Sequence, residues 1–374
     1  MFDGFEVDVL SLGDADCILV SEWRGYAVRR LLIDGGRKSD FPVVRAFLRQ
    51  RNVTSLDDVL CSHLHNDHAA GLIELLKDHS IAVGSGWMHS IRSHCDAGQL
   101  RRTANGSSND AEGVREVVEN TDRLLSAFTA RGITPTEPFT GSAPAILGPS
   151  QAYYKNVIAE FIKAGTAAMA MPQPGFGQLG LLAALVGAGS NRQAGTIPFR
   201  LPSNMPNSSE YGALSRLMLG APPITGPLAR SAVQENPSTQ PFNNTSVIIG
   251  LQFKGKKFLF TADAGCESLR QVALGWEDIY CLQVPHHGSE GNLSKDLIAR
   301  FRPQIAFVSA CGDQSHPSSA VKTALITVNA KVFSTHYPSP AHKWFWLGDV
   351  PARSDYIPAT AMRGSAGLPW ALSG

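Results

Sequence analysis

The sequence lacks three features that would assign it to a class at once: a long apolar run, a paired-cysteine motif and an excess of charge. Its longest apolar stretch, Leu179 to Val186, is far shorter than the ~20 residues that a membrane-spanning helix needs. The formal net charge is only +1, so a surface dominated by nucleic-acid electrostatics is not expected. The first ten residues, MFDGFEVDVL, carry no basic segment. We therefore predict neither a signal peptide nor membrane insertion.

The six cysteines, at positions 17, 61, 95, 266, 281 and 311, are scattered and form no C-x-x-C pair. Most of them lie in apolar, strand-like runs, as Cys17 does beside Ile18-Leu19-Val20. Buried free thiols of this kind are typical of a reducing compartment. The sequence therefore predicts a cytoplasmic protein, and it gives no indication of the oligomeric state.

The most informative segment is His63-Leu64-His65-Asn66-Asp67-His68, which fits the pattern H-x-H-x-D-H. Three imidazoles and a carboxylate so close together repel or resist burial unless something neutralises them. A divalent cation does so, because neutral imidazole nitrogen and carboxylate oxygen are ligands that zinc and related metals accept. An apolar run precedes the segment and a helical pattern follows it. We therefore predict a metal site on a loop between a strand and a helix.

A second polar cluster lies far downstream. Asp263 ends the apolar run 258–262, and the pair His286-His287 ends the next apolar run and is followed by Gly288-Ser289. A lone aspartate after a strand is usually a turn residue. Paired histidines in a chain that already contains H-x-H-x-D-H are harder to explain structurally, so we predict that this cluster contributes further ligands.

The rest of the chain alternates between strand and helix patterns. Helical spacing of apolar residues predicts a helix over 109–131, and a hairpin is predicted over 246–261. Strands followed by helices in both halves favour two sheets packed face to face with helices outside. Residues 165–240 are rich in Ala, Gly, Pro, Ser and Asn. They predict an irregular insertion, either covering the active-site mouth or serving as a linker without a role.

Taken together, these motifs resemble the metallo-β-lactamase superfamily, and within it the soluble hydrolase domain of ComEC-type DNA-uptake proteins. The matching stretches are 9–16, 32–36, 63–68, 244–248, 261–265, 284–289, 308–310 and 316–318. The resemblance covers about 1–90 and 243–335. It implies an α/β (α+β) fold, a four-layer αββα sandwich with the metals at one edge of the sheets. We expect a single domain over 1–374, with those two ranges as its core and an insertion over about 100–240.

The resemblance also implies roles for the ligand candidates and predicts two divalent metal ions, with zinc the first choice and manganese the second. His63 and His65 would hold the first metal, and Asp263 would bridge both ions. Asp67, His68 and His287 would hold the second metal, and Asp34 would orient a ligand histidine. His287 is preferred to His286 because it directly precedes the glycine, which leaves His286 to face the substrate.

One departure from the superfamily pattern concerns the first metal. A further histidine is usual just before the hairpin that leads to the bridging aspartate, but here that place falls in Asn243-Asn244-Thr245. Either Asn244 supplies a weak amide-oxygen ligand or His89 fills in from elsewhere. With Asn244, the first metal should bind less tightly than the second.

The resemblance implies a metal-dependent hydrolase that uses a metal-bound hydroxide. Asp67, His68 and Asp263 would position the hydroxide, and His316 or His286 would protonate the leaving oxygen. A phosphodiesterase or nuclease acting on nucleic acid or a nucleotide is the first hypothesis. The alternatives are hydrolysis of a small ester, lactone or lactam, and a metal-binding regulatory protein with impaired catalysis. Metal content and turnover on a substrate panel would separate them.

Overall fold

Two six-stranded mixed sheets form the centre of the protein. A computed structural model describes residues 1–106, 109–143, 145–170, 233, 239–313, 315–354 and 359–362. These residues belong to one compact unit, 1–171 with 231–374. Most of the predicted insertion, 165–240, lies outside the described residues.

The first sheet has the strand order β12-β1-β2-β3-β4-β5. Five of its strands come from the start of the chain and one from near its end. They are β1 (Phe2–Val9), β2 (Ile18–Gly25), β3 (Ala27–Ile33), β4 (Ser55–Leu60), β5 (Ala82–Trp87) and β12 (Lys343–Asp349). The strands β12, β1, β2 and β3 pair antiparallel, whereas β3, β4 and β5 pair parallel.

The second sheet has the order β11-β10-β9-β8-β7-β6. Its strands are β6 (Ile146–Gly148), β7 (Ile248–Phe253), β8 (Lys256–Phe260), β9 (Cys281–Gln283), β10 (Ile305–Val308) and β11 (Lys331–Ser334). The predicted hairpin is present as the antiparallel pair β7 and β8. The strands β8 to β11 pair parallel.

Helices cover the outer face of each sheet. Those beside the first sheet are α1 (Phe41–Gln50), α2 (Asn66–Lys77), α3 (Ala97–Ala104), α4 (Asn109–Ala130) and α5 (Gln151–Ala170). Those beside the second sheet are α6 (Cys266–Arg270), α7 (Lys295–Phe301) and α8 (Ser319–Thr327). None of the helices in the described part of the chain is both long and apolar enough to cross a membrane.

Three apolar cores hold the layers together. One lies between α1 to α5 and the first sheet, one between the two sheets, and one between the second sheet and α6 to α8. Burial of apolar side chains on both faces of each sheet is the main favourable term in forming such a stack. The predicted four-layer αββα sandwich of the metallo-β-lactamase fold is therefore confirmed.

Two strands lie outside the ranges predicted as the core. β6 falls within the span assigned to the insertion, where it pairs with β7, and β12 follows residue 335, where it pairs with β1. Part of the segment 100–165 is also built into the fold, because α4 and α5 contribute to the core beside α2. The proposed single domain over 1–374 stays a prediction.

Candidate metal centre

The H-x-H-x-D-H segment lies where β4 ends and α2 begins, as the sequence predicts. His63 and His65 precede the helix, and Asp67 and His68 lie in its first turn. The helix packs very closely against the loop after β3: a Cβ at Gly71 would lie 1.8 Å from the carbonyl oxygen of Gly35. Only glycine permits this approach. Together with a hydrogen bond from the Gly35 N–H to the His68 carbonyl oxygen (2.9 Å), it fixes the ligands relative to the first sheet.

Asp34 orients His68. Its Oδ2 lies 2.8 Å from His68 Nδ1, and the carboxylate also accepts hydrogen bonds from the N–H and the hydroxyl of Ser62 (2.7 and 2.6 Å). Both Asp34 and His68 are fully buried. A carboxylate can only accept, so His68 Nδ1 carries a proton and Nε2 is the nitrogen that faces the centre. This is the role predicted for Asp34.

The remaining ligand candidates come from the second sheet. Asp263 follows β8, and His286 and His287 follow β9. Both histidines have left-handed backbone conformations, with φ of 48° and 53°, and Gly288 continues the turn with φ of 82°. Such conformations cost free energy in residues other than glycine, and they persist where the surrounding structure enforces them, often at functional sites.

The structure brings the predicted ligands into two groups. His63, His65 and Asp263 form one group and Asp67, His68 and His287 form the other, with ligand atoms within 4.8 Å of one another in each group. Asp263 faces both: its Oδ2 lies 3.6 Å from His63 Nε2 and its Oδ1 lies 3.3 Å from His68 Nε2. We call these six residues the candidate centre.

The donor atoms of the candidate centre fit two divalent ions. His68 Nε2, Asp263 Oδ1 and His287 Nε2 are buried and make no hydrogen bond in the described structure. Buried polar atoms normally have partners, and leaving one without a partner costs about 1–3 kcal/mol. Imidazole nitrogen and carboxylate oxygen at this spacing are a typical donor set for zinc or manganese, and a bound ion would satisfy all three atoms.

The pKa values of His68 and His287 also indicate that the site stabilises positive charge. Burial opposes protonation of His68 and His287. The carboxylates of Asp263, Asp34 and Asp67 nevertheless raise the pKa of His68 well above its usual value, and Asp67, Asp263 and Asp16 raise the pKa of His287 to about 9. Burial and the neighbouring His68 hold the pKa of His63 well below its usual value.

Asp16 is a buried carboxylate that the sequence argument did not single out. It forms a third group with His68 and Asp263, and its Oδ2 accepts a hydrogen bond from Gln283 Nε2 at 2.9 Å. Burial raises its pKa. With Asp16, four carboxylates surround His68. In the sequence, the feature that could have identified Asp16 is its position in the stretch 9–16, which resembles the superfamily.

Asn244, rather than His89, lies near Asp263. Asn244 Oδ1 is buried without a hydrogen bond, and a Cβ at Gly265, two residues after Asp263, would lie 2.4 Å from it. The ring of His89 instead lies 4.4 Å from that of Tyr154 and 4.6 Å from that of Phe139, measured between centroids. His89 belongs to none of the four possible ligand groups among the described residues.

Both histidines considered for the leaving group lie at the edge of the candidate centre. The ring centroid of His316 lies 5.7 Å from that of His286 and 5.9 Å from that of His287. His286 Nδ1 lies 2.9 Å from Asn292 Oδ1, and its Nε2 lies 3.7 Å from Asp263 Oδ2. Apart from His89, the structure therefore brings together the residues that the sequence proposed for metal binding or catalysis.

Comparisons with known proteins bear on the first part of this site. Residues 25–137, which include Asp34 and the H-x-H-x-D-H segment, match the family model described as "Metallo-beta-lactamase superfamily". No curated protein sequence matches the chain. A solved structure described as "Crystal Structure of a New Diphosphatase from the PhnP Family" is similar, with a TM-score of 0.37 and 9% identity, covering 93% of this chain and 100% of that chain. The family match supports the predicted superfamily, whereas the closer resemblance to ComEC-type proteins stays a prediction.

Proposed function

We propose that this protein is a metal-dependent hydrolase that cleaves phosphodiester bonds in a nucleic acid or a nucleotide. The observation that carries the proposal is the pair of ligand groups that meet at Asp263, with buried donor atoms left without hydrogen bonds. Two divalent ions, when bound, lower the pKa of water towards neutrality and stabilise the charge that develops on the attacked group. The choice of a phosphodiester rests on the resemblance to ComEC-type proteins, since a fold does not fix a substrate.

The chain's own residues would hold the reaction in place. His63, His65 and Asp263 would bind the first ion, and Asp67, His68 and His287 the second. Asp67 is 27% exposed at its side chain, so it can contact both an ion and incoming substrate. His316 or His286, at the edge of the candidate centre, would protonate the leaving oxygen.

Zinc is the ion we propose first, because four of the six ligands are imidazoles, and manganese is the alternative that the carboxylates allow. We propose the cytoplasm as the compartment, because all six cysteines are free thiols and four of them are buried.

The test combines metal content with turnover. The wild-type protein, loaded with zinc or manganese, is assayed on bis-p-nitrophenyl phosphate, single- and double-stranded DNA, RNA and nitrocefin. We expect hydrolysis of at least one phosphodiester. Asp67→Asn and His68→Ala should lower the hydrolysis rate more than about 100-fold. Mutating a residue that only hydrogen-bonds to a metal ligand already costs about 10–100-fold in metal affinity or activity, and these two variants remove proposed ligands themselves. Asp122→Asn, at an exposed ion pair with Arg92, is the matched control and should keep full activity.

Three outcomes would contradict the proposal in different ways. Turnover of nitrocefin or a carboxylic ester alone would leave a hydrolase of small esters, lactones or lactams. Bound metal without turnover of any substrate would favour a regulatory metal-binding protein. Phosphodiesterase activity unchanged in Asp67→Asn and His68→Ala would place catalysis elsewhere.

A further inference from the structure

Asp14, in the loop between β1 and β2, contacts the edge of the candidate centre without belonging to it. Its Oδ2 lies 3.1 Å from His316 Nδ1. We propose that Asp14 is a positioning residue, which holds His316 so that His316 can protonate the leaving oxygen of the substrate. This inference rests on the proposed phosphodiester hydrolysis and assigns a role to a residue outside the metal ligands.

Asp14 is itself fixed by contacts from other parts of the chain. Its Oδ1 accepts a hydrogen bond from the Cys311 N–H at 2.7 Å, and its Oδ2 accepts one from Cys311 Sγ at 3.3 Å. The guanidinium of Arg37 donates to the Asp14 carbonyl oxygen. Burial opposes ionisation, but the contacts with His316 and Cys311 prevail and lower the pKa of Asp14. Asp14 is therefore a fixed carboxylate, which can only accept a hydrogen bond.

The backbone around His316 is held as firmly as its ring. Asp313 Oδ1 accepts a hydrogen bond from the His316 N–H at 2.9 Å. Pro317 packs against Gly288, where a Cβ would lie 2.7 Å from that of the proline, and the Ser318 N–H donates to the Gly288 carbonyl oxygen at 3.0 Å. Since Gly288 directly follows His287, these contacts keep His316 beside the candidate centre.

The two ring nitrogens of His316 therefore have different tasks. Nδ1 donates to Asp14, which leaves Nε2 free for the substrate, and the ring lies beside those of His286 and His287. The side chain is 21% exposed, so substrate can reach it. When hydroxide, formed as bound ions lower the pKa of water, attacks phosphorus, an oxygen–phosphorus bond forms and the bond from phosphorus to the leaving oxygen breaks with its electron pair. The Nε2 proton passes to that oxygen, which leaves a neutral imidazole still hydrogen-bonded to Asp14.

The alternative is a structural role, in which the contact between Asp14 and His316 holds two loops together and has no part in catalysis. A partly exposed pair of this kind, with side chains 21% and 22% exposed, contributes about 1 kcal/mol to stability, and its loss would affect all substrates equally. Substrates with different leaving groups distinguish the catalytic from the structural role. p-Nitrophenolate departs without a proton, whereas the alkoxide of a nucleoside needs one.

The experiment compares thymidine 5′-p-nitrophenyl phosphate with a thymidine dinucleotide as substrates of the metal-loaded protein. For Asp14→Ala and His316→Ala we expect kcat on the dinucleotide to fall by about 100-fold or more, the usual size of a general-acid contribution. On the p-nitrophenyl ester kcat should fall less than about 5-fold. Metal content per chain should not change. Asp14→Asn, which keeps an acceptor oxygen in place, should recover part of the dinucleotide activity. Asp122→Ala is the control.

Equal losses on both esters, or loss of bound metal, would overturn the positioning role and make Asp14 structural. Unchanged kcat on the dinucleotide would overturn it as well. Wild-type protein that turns over neither ester would overturn the proposed function, and the role of Asp14 with it. If Asp14→Ala fails to fold, the same comparison with Asp14→Asn decides, since that variant keeps the size of the side chain.

Discussion

At the scale of single residues, hydrogen bonds decide which ring nitrogen of each ligand histidine faces the candidate centre. His68 Nδ1 donates to Asp34, and His287 Nδ1 lies 3.0 Å from the carbonyl oxygen of Ser309. Carboxylate and carbonyl oxygens only accept, so Nδ1 of both histidines carries a proton and Nε2 is the nitrogen that faces the centre, where an ion would displace its proton. Metal-binding histidines are usually oriented this way. Because the two rings are oriented before any ion binds, ion binding does not have to order them.

His89 is a residue whose burial has a consequence for stability rather than for metal binding. It is 3% exposed, and neither ring nitrogen makes a hydrogen bond. Burial lowers its pKa from 6.5 to about 3. The unfolded chain therefore takes up a proton as the pH falls below 6.5, whereas the folded chain does not. The free energy of unfolding is therefore unaffected by this histidine above pH 6.5 and decreases as the pH falls from 6.5 towards 3.

We predict that His89→Leu keeps its full metal content and is more resistant to acid. Between pH 6.5 and about 4.5 the wild type should lose about 2 kcal/mol of unfolding free energy more than the variant, at up to 1.36 kcal/mol per pH unit. Urea unfolding at several pH values measures this, with His79→Gln, at an exposed histidine, as control. Loss of one metal ion per chain from His89→Leu would instead make His89 the missing ligand of the first metal.

Single residues also show what the sequence could and could not predict. The six candidate ligands could be singled out because the signal is local: five lie in H-x-H-x-D-H or His286-His287, and Asp263 ends an apolar run. Asp14 and Asp16 were not assigned roles, because their partners are Cys311, His316 and Gln283. Those contacts span about 270–300 residues and exist only once both sheets have formed.

At the scale of secondary-structure elements, α4 forms hydrogen bonds that hold the loop with the H-x-H-x-D-H segment against the rest of the fold. Asn120 Nδ2 donates to the carbonyl oxygen of Leu64 and to Asn66 Oδ1, both at 3.0 Å. Glu116 Oε1 accepts a hydrogen bond from the Asn66 N–H at 2.7 Å, where α2 begins. Leu64 lies between His63 and His65, so α4 contacts the backbone that carries these two candidate ligands of the first metal.

Asn120→Ala should therefore weaken binding of the first metal more than that of the second. We expect a loss of about 10–100-fold in affinity, the usual cost of removing a partner outside the ligand shell. The variant should also lose about 1–3 kcal/mol of stability, because the buried Leu64 carbonyl oxygen loses a donor. Metal titration followed by calorimetry resolves the two sites. Glu119→Ala, on the exposed side of the same helix, should leave both affinities unchanged, and equal weakening of both sites by Asn120→Ala would contradict this role of α4.

Elements differ in how well local patterns predict them. The apolar spacing of α4 predicts the helix, but not its contact with a loop more than 50 residues away. The strand β12 was missed for a related reason. Lys343, Trp344 and Phe345 are all buried, so the alternation that marks a strand is absent, and the strand exists through its pairing with β1 at the other end of the chain.

At the scale of the whole molecule, the candidate centre joins the two sheets. His63, His65, Asp67 and His68 follow β4 of the first sheet, whereas Asp263 and His287 follow strands of the second. The fold could be predicted because each sheet is encoded by its own stretch of sequence and the motifs mark the shared edge. The distances within the centre could not, because they depend on how the two sheets pack.

This arrangement predicts that metal binding stabilises the folded chain as a unit. An ion at 100 times its dissociation constant adds about 2.7 kcal/mol, since the unfolded chain does not hold the ligands together. Chelator treatment should therefore lower Tm by about 3 °C for each ion removed, and zinc or manganese should restore it. Asp263→Ala, which removes the residue facing both groups, should show little metal-dependent shift in Tm, whereas Asp122→Ala should show the full shift. A wild-type Tm unaffected by the chelator in protein shown to have lost its metal would mean that the sheets hold the ligand geometry without help from the ions.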